Sequence, residues 1–289
     1  MTKRSHAKRK RNEKKRKKNA TARAVKQSKL ADKYALYQEA VQDPPEDARL
    51  LARVYRKEFG RPARRMREDF CAAAALSCAW VEADGENRAI GVDIDPEPLA
   101  WGREHNLARL DADQAARVEL VQGDVLAPDA LPPADIICAF NFSYFCFHER
   151  ATLRDYFEKS RARLAPQGML VLDLYGGADA QRTMTETREC EGFDYVWDQD
   201  VFDPIQHHVV NYIHFEFEDG SRIHKAFRYD WRLWTIPELR DLLLESGFGK
   251  VTTLWEGTDK ATNEGNGIYR PATSAPDDPA FVSYLVAVP

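Results

Sequence analysis

Residues 67–81, "REDFCAAAALSCAWV", decide how the chain is to be read. Two acids and an aromatic ring lead into four alanines and then a mixed apolar run. One reading is the buried first turn of an ordinary helix. The other is a tight turn joining a strand to a helix over a nucleotide, where glycine is usual because the backbone lies close to the ligand. The sequence on either side separates the two.

Downstream, "RAIGVDID" (88–95), "RVELVQGDV" (117–125), "ADIICAFNF" (134–142) and "GMLVLDLYGG" (168–177) read as buried strands. Between them lie amphipathic helices; "ATLRDYFEKSRARL" puts Leu153, Tyr156, Phe157 and Leu164 on one face. This alternation predicts an α/β chain with a doubly wound, mostly parallel sheet. "RRMRED" is then a poor first strand that ends at Glu68 or Asp69, and residues 67–81 become a strand-to-helix turn. Upstream, residues 31–62 predict two helices, one carrying Tyr34, Leu36, Tyr37, Ala40 and Val41, the next Leu50, Leu51, Val54 and Tyr55. Pro44 and Pro45 separate them, and Gly60 and Pro62 close the second.

From about residue 192 the period changes to two. Asp219-Gly220 is a hairpin turn signal, with Ile213, Phe215 and Phe217 on one face before it and Ile223, Phe227 and Tyr229 after it. Residues 192–232 therefore read as an antiparallel β-hairpin insertion. A helix follows with a Thr235/Glu238 capping box, Pro237 in its first turn and Gly247 at its end. The last two strands, "KVTTLW" and "AFVSYLVAV", flank a Gly-rich stretch (256–271) that is long for a hairpin loop and placed to cover a substrate.

The 289-residue composition, 44% hydrophobic and 30% charged, is that of a globular chain. No apolar run reaches the roughly 18 residues of a membrane span, and no apolar segment follows the basic N-terminus as a secretory signal requires. Cys71, Cys78, Cys138, Cys146 and Cys190 are odd in number and form no CxxC pair, which fits free thiols in a reducing cytoplasm rather than disulfides or zinc. His148, His207, His208 and His214 show no metal spacing, so no metal is expected. Residues 1–30 hold 14 of the 42 Lys and Arg but one of the 46 acids, a basic tail of +13 on a body of −17. Such a block stays disordered. Contact with RNA phosphates and simple solvation both account for it. The tail lacks aromatic residues, so nothing in it points to base stacking.

In a doubly wound sheet, ligands bind outside the carboxyl ends of the strands. Those ends carry Glu68, Asp93, Asp124 and Asn141. A carboxylate after the second strand can accept from both ribose hydroxyls of an adenosine, and one after the third can accept from the adenine amino group. A dinucleotide would also need a glycine loop over its pyrophosphate, and no glycine lies between Gly60 and Gly85. S-adenosylmethionine has no pyrophosphate and fits these acids better.

With those positions in view, residues from about 63 to 289 resemble the class I S-adenosylmethionine-dependent methyltransferases. That family's first strand ends in a pattern like E/D-x-G-x-G-x-G. Here Glu68 takes the acidic place, and Phe70, Ala72 and Ala74 take the glycine places. "EDFCAAA" and the preceding "YQEAVQ" are similar to a bacterial subgroup with an EDFCGTA-like loop. The resemblance implies a seven-stranded Rossmann-like methyltransferase sheet with S-adenosyl-L-methionine as cofactor. It implies cofactor contacts from Glu68, Phe70, Cys71, Ala72, Asp93, Ile94, Asp124, Val125, Asn141 and Phe142, with Tyr37 and Gln42 as a lid. Tyr175, Trp255 and Tyr269 are candidates for a substrate pocket, and Tyr144 and His148 for a base. The implied reaction is methyl transfer to nitrogen or oxygen of a small molecule. An RNA- or ribosome-directed enzyme using the tail, and a non-catalytic nucleic-acid-binding protein on the same scaffold, are the alternatives.

Overall fold

The computed structural model describes residues 25–127, 131–259, 262 and 265–289. The basic tail's residues 1–24, and with them most of the expected RNA contact, lie outside the described residues.

The parallel part of the main sheet is formed by β1 (Arg65–Asp69), β2 (Arg88–Asp93), β3 (Val118–Gln122), β4 (Ala134–Ala139) and β5 (Leu164–Gly176). β12 (Phe281–Val288) runs antiparallel to β5, β10 (Lys250–Thr258) antiparallel to β12 and so in the direction of the parallel set, and β11 (Gly265–Ala272) antiparallel to β10, in the order β11-β10-β12-β5-β4-β1-β2-β3. Strand order reverses at β1 and β4, which pair in register from Met66↔Ile136 to Glu68↔Cys138. A crevice opens outside the carboxyl ends at such a switch point. The sheet has eight strands, not seven, because the expected loop 256–271 largely becomes the end of β10 and all but the last residue of β11. Glu256↔Tyr269 and Trp255↔Arg270 pair across it.

Helices cover both faces. On one side α3 (Pro44–Phe59) and α4 (Ala75–Ala83) bury Leu50, Leu51, Tyr55, Leu76 and Trp80. On the other, α7 (Arg150–Ala162) and α8 (Ile236–Glu245) bury Leu153, Tyr156, Phe157, Leu239 and Leu243. Between them in the chain stand α5 (Pro96–His105) and α6 (Ala112–Ala115). The ends follow their local chemistry. Asp43 accepts from Glu46 N–H to start α3, Gly60 ends it at φ 70°, and Thr235 and Glu238 form the expected box on α8.

The insertion is larger than the hairpin expected over 192–232. Four antiparallel strands, β6 (Met184–Cys190), β7 (Phe193–Asp203), β8 (His208–Glu216) and β9 (Arg222–Arg232), make a second sheet. β6, "MTETREC", is an exposed edge strand with no apolar alternation to announce it. The turn after β8 is at Asp219-Gly220, with Gly220 at φ 73°.

The first described residues also differ from expectation. α1 (Gln27–Leu30) lies within the stretch read as disordered tail, but it is docked on that turn. Gln27 N–H donates to Asp219 (2.9 Å), Asp219 N–H returns a bond to the Gln27 side chain (3.1 Å), and Ser28 N–H donates to Ser221 Oγ (3.0 Å). α2 (Lys33–Val41) then packs Leu36, Tyr37 and Ala40 against Phe215 and Phe227 of the insertion. Its other contacts reach the main domain, where Trp101 Nε1 donates to Asp32 (2.6 Å).

Asp135, at the start of β4, accepts from the Arg64 and Arg65 amides, the Arg61 guanidinium and the Tyr55 hydroxyl, at 2.8–3.1 Å. Burial raises its carboxyl pKa, but these donors outweigh burial and hold it below the ordinary range. We predict that Asp135→Asn lowers stability by about 2 kcal/mol at neutral pH, read from urea unfolding. A lowered acid stabilises above its unfolded value and loses that effect as pH falls through the folded one. The gap between the two proteins should therefore narrow only below about pH 4.

Candidate active site

The turn after β1 settles the opening question. Phe70, Ala72 and Ala74 adopt φ of 58°, 45° and 57°, all left-handed. These are the three places where the resembled pattern carries glycine. The chain keeps that backbone without glycine, at a cost of roughly 1–2 kcal/mol for each L-residue. Three contacts hold it. Asp93 Oδ2 at the end of β2 accepts the Ala72 amide (2.7 Å), the Asn106 side-chain amide donates to Ala73 O (2.8 Å), and Cys71 N–H donates to Val92 O (3.0 Å). Gly102 on α5 makes room, since a Cβ there would sit 2.4 Å from Ala73 O.

Glu68 is buried at the end of β1, where Oε2 accepts from the Ser77 amide (2.9 Å) and hydroxyl (2.6 Å). Burial, against the pull of those donors, pushes its pKa up to about 8. Asp69 lies deeper, between Arg67 Nε (2.6 Å) and the Tyr156 hydroxyl (3.0 Å). Burial also raises Asp93, although the Asp95 and Ala72 amides act against it.

A second strained turn follows β4. Asn141 and Phe142 both have φ 58°. Buried Asp173 of β5 accepts both their amides, at 2.7 and 2.9 Å, and burial pushes its pKa up to about 8. Such paired outliers persist only where the surrounding structure holds them, as Asp173 does here.

Two cavities meet over these turns. The first, about 450 Å³, is lined by Tyr37, Gln42, Glu68, Phe70, Cys71, Ala72, Asp93 and Asn141, as the sequence predicts, and also by Asp69, Asp95, Glu97, Phe227, Tyr229 and Trp231. The second, about 470 Å³, is lined by Asn141, Phe142, Tyr175 and Tyr269 with a further set of aromatic residues from the insertion. Tyr37, Asn141, Tyr229 and Trp231 line both. Each cavity is within the size range of small-ligand sites, about 300–1,000 Å³.

Several expected residues stand elsewhere. Asp124 is exposed beyond β3 and accepts from the Leu126 amide (2.9 Å); it does not line the first cavity. Val125 is a core residue whose carbonyl accepts from Arg163 (2.7 Å), and Ile94 is exposed outside the cavity. Trp255 packs on Phe281 with ring centroids 4.6 Å apart, and lines a separate cavity of about 220 Å³. Tyr144 is fully buried and its hydroxyl donates to Asp173 O (2.7 Å), so it is a strut and faces no cavity. His148 lies outside both cavities, with Nε2 2.9 Å from Asp230 O. It joins His208 and Asp230 in a group whose side-chain donor atoms converge within 4.8 Å, a meeting across the fold that sequence spacing does not reveal. Arg228 holds the other Asp230 oxygen at 2.5 Å.

The aromatic lining from β7 and β9 is what the sequence reading missed. Tyr229 and Trp231 alternate along β9, but nothing local distinguishes a residue facing a cavity from one facing a core.

No protein-family model matches the chain, and no curated protein matches it by sequence. Solved structures do. The CcbJ methyltransferase from Streptomyces caelestis is similar at 17% identity and TM-score 0.63, over 86% of this chain and 90% of its own. DesVI from Streptomyces venezuelae is similar at 14% identity and TM-score 0.64, over 92% and 99%. The fold is that of the S-adenosylmethionine-dependent methyltransferases. The amino pentose methyltransferase CalS10 from Micromonospora echinaspora, solved with S-adenosylmethionine bound, shares this methyltransferase fold at 17% identity and TM-score 0.60, over 87% and 95%.

Two changes test the turn. Ala72→Gly should stabilise the protein by about 1 kcal/mol, seen as a higher Tm, because it relieves the left-handed alanine. Glu68→Gln keeps an acceptor for Ser77 but cannot ionise. An acid raised from 4.5 to about 8 favours the folded state at low pH and weakens it as pH climbs between those values. Wild-type Tm should thus fall from pH 5 to 8 more steeply than that of Glu68→Gln.

Proposed function

We propose that this protein is an S-adenosylmethionine-dependent methyltransferase acting on a nitrogen or oxygen of a small molecule. The observation that carries the reading is the meeting of two cavities at Asn141, one walled by strand-end acids and small turn residues, the other by aromatic rings.

The residues present fit the cofactor. The Asp93 carboxylate uses one lone pair on the Ala72 amide and one on the Asp95 amide, which leaves two of about four for ribose hydroxyls. Cys71, Ala72 and Ala73 of the turn add only small side chains to the cavity wall beside the Phe70 ring, and Tyr37 on α2 and Gln42 at its C-terminal end close the cavity. S-adenosylmethionine, when bound, supplies a methyl on a sulfonium with a neutral thioether as leaving group. The chain's part is then to align the acceptor at the junction and to exclude water. Asn141 and Phe142, fixed by Asp173, hold the junction rigid. No acid-base pair among the described cavity residues is required for that step. That CalS10, of the same fold, is an amino pentose methyltransferase supports a small acceptor. Among the described residues no helix is long and apolar enough to cross a membrane.

Calorimetry with S-adenosylmethionine and S-adenosylhomocysteine tests the reading. Wild type should bind both with micromolar Kd, and Asp93→Ala should weaken binding by at least about tenfold through loss of charge-assisted hydrogen bonds. No binding at millimolar cofactor would overturn the assignment.

A further inference from the structure

The second cavity is chemically lopsided. Its wall is aromatic: Trp197, Tyr229 and Trp231 form a cluster with ring centroids 4.4–6.4 Å apart, and Tyr37, Tyr269 and Phe281 continue it. Its charged residues are Asp179, Glu186 and Glu256, and no Lys, Arg or His is among the described lining residues. Asp179 is already paired with Arg182 (3.0 Å). Among the described residues no cation pairs with Glu186 or Glu256. Glu256 Oε1 instead accepts the Gly267 amide (2.6 Å), which holds its carboxylate at the rim.

Aromatic faces and unmatched carboxylates both attract cations, and together they repel anions. We infer that the acceptor is an amine, recognised in this cavity through its positive charge. The inference rests on the methyl-transfer reading above and names its acceptor class. The chemistry agrees with the charge distribution. An ammonium nitrogen first gives one proton to the carboxylate rim and thence to water. Its lone pair forms the new N–C bond as the C–S bond breaks, and the bonding electrons stay on sulfur. Positive charge moves from sulfur to nitrogen, so a cavity that stabilises a cation at nitrogen stabilises the transition state and the methylated ammonium. An alcohol, which ends neutral after losing its proton, would draw no such benefit. A phosphorylated or carboxylated group at this position would meet like charge.

The test is quenching of tryptophan emission in the full-length protein by choline and by its neutral carbon isostere, in which a tert-butyl group replaces trimethylammonium. Choline should bind at least tenfold tighter than the isostere. Glu256→Gln and Trp197→Leu should each reduce that preference severalfold while calorimetric binding of S-adenosylmethionine stays unchanged. Equal or tighter binding of the isostere, or no response to either probe, would overturn the inference. Loss of cofactor binding in wild type would instead sink the methyl-transfer reading and leave the cation preference standing on its own.

Discussion

The Asp93 carboxylate, closed on the Ala72 amide at 2.7 Å, is the contact on which the site depends. It ties the end of β2 to the turn after β1 and holds that turn in a backbone shape its own residues disfavour. The same device recurs. Asp173 grips the Asn141 and Phe142 amides across β4 and β5, and Glu68 grips Ser77 at the start of α4. A hydrogen bond contributes about 1 kcal/mol net, and up to about 3 kcal/mol where its acceptor is charged. That is enough to offset a left-handed L-residue at roughly 1–2 kcal/mol. The switch point is thus rigid because each loop is held by the neighbouring strand.

The insertion sheet and the first two helices, α1 and α2, form one unit above this frame. α2 buries Leu36, Tyr37 and Ala40 on the insertion, while Asp32 and Lys33 reach Trp101 and Glu97 of the main domain. Tyr37 consequently faces both cavities. β9 does the same from the other side with Tyr229 and Trp231. The polar floor comes from the parallel strands and the aromatic roof from the insertion. Their different chemistries follow from sheet position, since strand ends expose carboxylates to the crevice whereas the roof turns its large rings inward.

Much of this was legible in the sequence. Short apolar runs alternating with amphipathic helices gave the parallel strands, the spacing of Glu68, Asp93 and Asn141 placed the crevice, and Asp219-Gly220 gave the turn after β8. What escaped did so for physical reasons. β6 is a polar edge strand without alternation, and β11 forms from a Gly-rich stretch whose pairing partner decides its structure. Asp124 shares its residue type and strand-end position with Asp93, yet it turns to its own Leu126 amide; that local capping choice has no sequence signature. Tyr144 and His148 have the right chemistry for a base, but burial and partner atoms, which are tertiary facts, take both away from the cavities. His148, His208 and Asp230 converge only because β8, β9 and the start of α7 do.

The left-handed alanines at 72 and 74 change what a glycine signature means. The turn after β1 follows a left-handed backbone path, and glycine is one way to obtain it because it takes that path freely. Here acceptors on neighbouring strands impose the path on residues that resist it. A glycine pattern therefore reports on how a loop's shape is secured rather than on whether the shape is present. A chain that secures it from outside carries no glycine pattern there, and the shape is then encoded by the carboxylates at the ends of the strands next door.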